Sequence, residues 1–107
     1  MAKPRPNQAT DLVLQEVLHY LDSYEADHPG SRGKAYRQNS ASIRIRIIDP
    51  RFQGMDRIDR DTEVRRSFNQ LSDEAHFQVT MLLLLTEEEL TRSFANMDFE
   101  DPIPSRL

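Results

Sequence analysis

Between Ser42 and Ile48 apolar and polar residues alternate. Ile43, Ile45 and Ile47 fall on one side of an extended chain and Arg44 and Arg46 on the other. β-Branched residues favour that state, so the pattern predicts a half-buried strand with one apolar face and one wet, cationic face. Asp49-Pro50 stops it, because proline has no donor for a ladder, and Gly54 permits a sharp reversal. Beyond the turn, Ile58, Val64, Phe68 and Leu71 recur at roughly helical spacing, with Asp56/Arg60 and Asp61/Arg65 as acid-first i,i+4 pairs. The stretch Ser42–Leu71 thus reads as strand, turn and helix.

The flanking segments follow by the same reasoning. Thr10 and Asp11 suit a helix start, and Val13, Leu14, Val17, Leu18, Leu21 and Tyr24 place a helix over about Asp11–Ala26, ended by His28-Pro29-Gly30. His19 on it reads as a surface or boundary residue. Ser31–Ala41 is polar and basic, a loop or a short edge strand around Lys34–Gln38. Ser72-Asp73-Glu74 reads as a connection. Phe77–Leu85 starts by alternating and ends as a continuous leucine run, the pattern of a strand buried on both faces. Thr86 and Glu89 have capping-box spacing, which predicts a short helix to about Asn96 carrying Leu90 and Phe94.

The elements amount to one small α+β domain over residues 9–97, a three-stranded sheet with helices on one face. Residues 1–8, with Pro4 and Pro6, read as a disordered lead, and 98–107 as an acidic, proline-containing tail. There is no cysteine, which excludes disulfides, thiolate metal sites and cysteine nucleophiles. No apolar run approaches the roughly 18 residues of a membrane span and no signal-like start appears, so a cytoplasmic chain is predicted. Ser105-Arg106-Leu107 resembles a peroxisomal address, weighed here as an ordinary terminus.

Charge is uneven. Residues 1–30 hold two basic side chains against five acids, −3; residues 31–66 hold ten against five, +5; residues 67–107 hold two against eight, −6. Arg44, Arg46, Arg57, Arg60, Arg65 and Arg66 are the candidate site, a cationic surface from strand and helix that could grip phosphate or carboxylate. Against it stand neutralisation by Asp56, Asp59, Asp61 and Glu63 and intramolecular docking of the acidic tail. The patch has no aromatic platforms of the kind single-stranded nucleic acid prefers. Gly30-Ser31-Arg32-Gly33 spells a GxxG, but it follows a helix and precedes strands, whereas the nucleic-acid clamp joins two helices. No carboxylate, histidine and serine share a telling spacing, so no catalytic residue is predicted.

The run Ile47-Ile48-Asp49-Pro50-Arg51-Phe52-Gln53-Gly54, followed by Arg60, Val64 and Phe68, resembles the BolA-like family, small proteins related to type II KH domains, which implies the element order α-β-β-α-α-β. The resemblance covers about Ser42–Glu89 and includes, more loosely, the strand from Phe77 to Thr86. It implies a non-enzymatic binding or regulatory module with a protein partner, or else a nucleic-acid-binding regulator. A third implication is a glutaredoxin partner sharing an iron–sulfur cluster through histidine. The family's Arg-His is Arg60-Asp61 here, Gln78 falls where the family has its ligand, and His76 and His28 are the nearest substitutes. No cofactor and no metal ligand are therefore predicted.

Overall fold

The computed structural model describes residues 11–102; the expected lead and the terminal Ser105-Arg106-Leu107 lie outside them. Helix α1 (Leu12–Asp27) is followed by strands β1 (Arg32–Asn39) and β2 (Ser42–Ile48) and a 3-10 turn at Pro50–Phe52. Helix α2 (Arg57–Arg66) runs into a 3-10 turn at Ser67–Gln70, then helix α3 (Asp73–Gln78) and strand β3 (Val79–Leu85). A last 3-10 turn, Glu88–Thr91, precedes helix α4 (Phe94–Glu100). The fold is α+β, as the pattern predicts.

The sheet order is β1-β2-β3, with β1 antiparallel and β3 parallel to the central β2. Ile43, Ile45 and Ile47 are fully buried, each burial contributing about 1.5–3 kcal/mol. They lie in one core with Val17, Tyr20, Leu21 and Tyr24 of α1, Val64 of α2, Phe68 and Leu71 of the turn that follows it, and Ala75 of α3. Local chemistry sets the helix starts. Asp11 accepts from the Leu14 amide (3.0 Å) and Asp56 from the Asp59 amide (2.9 Å), each satisfying a donor that the first turn leaves open.

Four expectations change. Ile58 is 77% exposed, and Phe68 sits in the 3-10 turn after α2 rather than on one long helix. The strand expected from Phe77 starts at Val79, because Ser72 caps α3 by accepting from the Ala75 amide and Asp73 and Glu74 suit its positive end. The leucine run is an edge strand, with β2 holding the centre; the adjacent Leu84 and Leu85 point to opposite faces and are both buried, so the expected two-sided burial holds at that end, while Met81–Leu83 are half-buried. Finally, the helix expected to reach Asn96 divides. Ser93 caps a new helix by accepting from the Asn96 amide (3.0 Å), so the acidic tail expected from residue 98 starts inside α4.

Helix α4 also corrects the picture of a wet arginine face. It lies across the side of the sheet opposite the isoleucines, anchored by Phe99, 1% exposed, whose ring meets Tyr36 at 4.9 Å. The Tyr36 hydroxyl donates to the Phe99 carbonyl at 2.7 Å. Three helices cover one face and this fourth covers the other.

Candidate functional site

The two strand arginines are the floor under α4. Arg44 reaches Asp98 at 3.1 Å. Arg46 donates to Asn96 at 2.8 Å, pairs with Glu100, and lies 4.9 Å over the Phe99 ring. The Arg46 guanidinium, by hydrogen bond and charge, holds the Glu100 carboxyl below the usual carboxylate pKa. A charge enclosed this far from water must be matched, and α4 supplies the match.

Arg60 is buried and fully engaged. Its Nε donates to the Met55 carbonyl (3.0 Å), Nη1 to the Leu84 carbonyl (3.1 Å), and Nη1 and Nη2 form a fork on Glu89 at 2.7 and 3.0 Å. Glu89 also accepts from the Thr86 amide at 2.8 Å, the return arm of the anticipated capping box. Chiefly through Arg60, and then the Thr86 amide, its carboxyl is held down to about 2. The expected Asp56/Arg60 pair gives way to this longer-range one, whereas Arg65 pairs with Asp61 as predicted, at 2.6 Å.

Arg57 and Arg66 remain exposed and, among the described residues, have no hydrogen bond or ion pair. Nine positions apart on α2, they stand about half a turn from one another around the helix. Arg57 borders β3 and Arg66 borders a cleft beside Tyr24 and His28. The six candidate arginines therefore do not form one surface: Arg44 and Arg46 are under α4, Arg60 is inside, Arg65 is paired, and Arg57 and Arg66 diverge.

The glycines and histidines have structural roles as well. Gly30 (φ +89°) closes α1 in a conformation that favours glycine, and a Cβ on Gly33 would lie 2.9 Å from Leu21 Cδ2. The GxxG thus seats α1 on β1. His28 Nδ1 donates to the Tyr24 carbonyl (2.9 Å) and its ring stacks on Tyr24 at 4.0 Å. His76 meets Phe68 edge-on at 5.3 Å. The two histidines occupy the ends of a row of rings running through Tyr24, Tyr20 and Phe68. Among the described residues no three His, Cys, Asp or Glu side chains are placed to hold a metal ion.

One buried polar group escaped the sequence reading. Asp49, fully buried, accepts from the Tyr24 hydroxyl (2.7 Å) and the Arg51 amide (2.9 Å). Burial, with Asp49 adding to it, pushes the Tyr24 phenol far above its ordinary value of 10. The pair locks α1 to the end of β2.

What the fold leaves open is the outer rim of β3. The Asp49 amide donates to the Leu85 carbonyl at 3.0 Å, which turns Leu85 toward the sheet and the groups of Leu84 and Leu82 outward. Arg60 takes the Leu84 carbonyl. The Leu82 N–H, the Leu82 C=O and the Leu84 N–H have no backbone partner among the described residues. They lie in a groove of about 250 Å³ lined by Leu82–Leu85, with Arg57, Arg60 and Asp61 of α2 and Ser93 and Ala95 around it. A second hollow of about 480 Å³ shares Arg57, Arg60, Leu85 and Ser93 with the first. Ile58 and Phe94, next in sequence to groove residues, are exposed apolar side chains.

The opposite edge is built differently. β1 carries Arg32, Lys34 and Arg37 and an irregularity between Arg37 and Asn39, features that discourage strand pairing. From Met81 to Leu85 β3 has no charge and no proline, and its register irregularity falls before Met81, at Thr80. Comparison with known proteins finds no matching family model, no matching curated protein and no matching solved structure. No helix among the described residues is long and apolar enough to cross a membrane.

Proposed function

We propose that this chain is a non-enzymatic binding module of BolA-like build whose partner is a protein, docking along β3 and not on a broad basic face. The observation that carries the reading is the unguarded rim of β3, set in a groove beside the unpaired Arg57. Supporting the family resemblance is the order α-β-β-α-α-β, which a further helix follows. Against catalysis, the buried titratable groups are engaged in holding elements together: Asp49 with Tyr24, Arg60 with Glu89. The cytoplasm is the location this reading assumes, since a chain without cysteine suits a reducing compartment.

The test is site-specific photo-crosslinking in the native cell, with the reactive residue at position 58, 94 or, as a control on α1, 22. The proposal expects one shared protein adduct from 58 and 94 and none from 22. Adducts only to nucleic acid, or equal adducts from all three sites, would reject it. A nucleic-acid function would have to rest on Arg57 and Arg66, and would show affinity falling steeply with salt and lost in Arg57→Ala.

A further inference from the structure

We infer that the groove beside β3 receives an extended segment of the partner protein as a fourth strand, with an acidic side chain of that segment on Arg57. This rests on the protein-partner reading and specifies how the contact is made. Backbone polarity is the first argument. The Leu82 N–H, the Leu82 C=O and the Leu84 N–H point away from β2, in the alternation by which a new strand is recognised. The neighbouring Leu84 C=O is occupied by Arg60, so the rim offers two donors and one acceptor.

Shape is the second argument, and it selects a lone strand over a second copy of this chain. The rim is recessed in a groove, with α2 residues Arg57 and Asp61 and the Ser93–Ala95 segment around it. A second folded copy pairing through its own β3 would bring its α2 and α4 to the same rim, where they would meet these walls, and one offering β1 would set Arg32, Lys34 and Arg37 against Arg57. A bare extended segment enters without that obstruction.

Charge is the third. Asp61 is held by Arg65 at 2.6 Å, so of the ionic groups in the groove Arg57 alone has no partner among the described residues; Arg60 is engaged with Glu89. An unpaired guanidinium beside an apolar strand selects a carboxylate on an otherwise apolar segment.

The experiment is an NMR titration of the ¹⁵N-labelled full chain. The probe is a capped peptide, Val-Thr-Val-Glu-Val-Thr, with two versions N-methylated at alternate residues of either parity and one with Lys in place of Glu. The inference expects saturable shifts centred on the Leu82 and Leu84 amides. One N-methylated version should lose binding, because its methyls replace the hydrogens the rim needs, while the other retains it. The Lys peptide should bind about tenfold more weakly to the native chain and recover on Arg57→Glu. No shifts at millimolar peptide, equal binding of both N-methylated versions, or a free chain already dimeric with both amides protected would each overturn it. If these fail while positions 58 and 94 still crosslink to a protein, strand addition is wrong and the binding module stands. If the peptide binds but no protein crosslinks, the module reading is the one that fails.

Discussion

Replacing Arg60 by methionine separates a structural arginine from a binding one. Methionine keeps much of the stem but removes the fork on Glu89 and the donors to the Met55 and Leu84 carbonyls. A fully buried pair broken on one side costs about 3–5 kcal/mol; Glu89 can rehydrate at the surface, which lowers the expected cost to about 2–3 kcal/mol. For a chain of this size that is a fall in Tm of roughly 10–20 °C. Glu89→Gln addresses the same pair through pH. A carboxyl held at about 2 instead of 4.5 corresponds to roughly 3 kcal/mol at full strength, and screening at a side chain one-third exposed reduces it to about 1–2 kcal/mol. Because the folded value is the lower one, this contribution is complete above pH 4.5 and is lost as pH falls toward 2. Urea unfolding followed by circular dichroism measures both, as a shift in midpoint at constant slope. An Arg60→Met chain within about 0.5 kcal/mol of the parent, or a Glu89→Gln difference that does not shrink in acid, would refute the reasoning.

Gly33→Ala places a methyl 2.9 Å from Leu21 Cδ2 and 3.2 Å from Leu21 Cβ, so urea unfolding should show about 1–3 kcal/mol of destabilisation from overpacking. Phe99→Ala removes the anchor of α4, and an aromatic-to-alanine change in a core costs about 3–5 kcal/mol; limited proteolysis should then cut at Arg44 or Arg46 faster than in the parent. The Tyr24 phenol, and the Tyr20 phenol raised by its own burial, stay protonated in the folded chain. Stability from them is therefore present below pH 10 and lost above it, and Tm measured from pH 8 to 11 should fall less in Tyr24→Phe than in the parent.

Elements were legible wherever the signal was local. The alternation at Ile43–Ile47, the stop at Asp49-Pro50, the cap at Asp11, the Glu89 arm of the capping box at Thr86 and the Asp61–Arg65 pair each depend on residues within a turn of one another, and each is present; the Thr86 side-chain arm of that box is not formed. Two more caps, Ser72 and Ser93, carried the same kind of signal, but the leucine run and the acidic tail beside them suggested other states. The site was less legible because its logic is long-range. Arg60 meets Glu89 across 29 positions and Arg46 meets Glu100 across 54, so a stretch with ten basic residues looks cationic while three of its six candidate arginines are neutralised by distant carboxylates. Edge or centre is likewise not written in four leucines: it follows from strand order, and strand order from how α2 and α3 return the chain beside β2.

Native-state amide hydrogen exchange along β3 tests the open rim most directly. In the free chain at low concentration, the Leu82 and Leu84 amides should exchange rapidly while the Leu83 and Leu85 amides, turned toward β2, are protected with the core. Equal, strong protection at all four positions would mean that the rim is already occupied and would contradict the account.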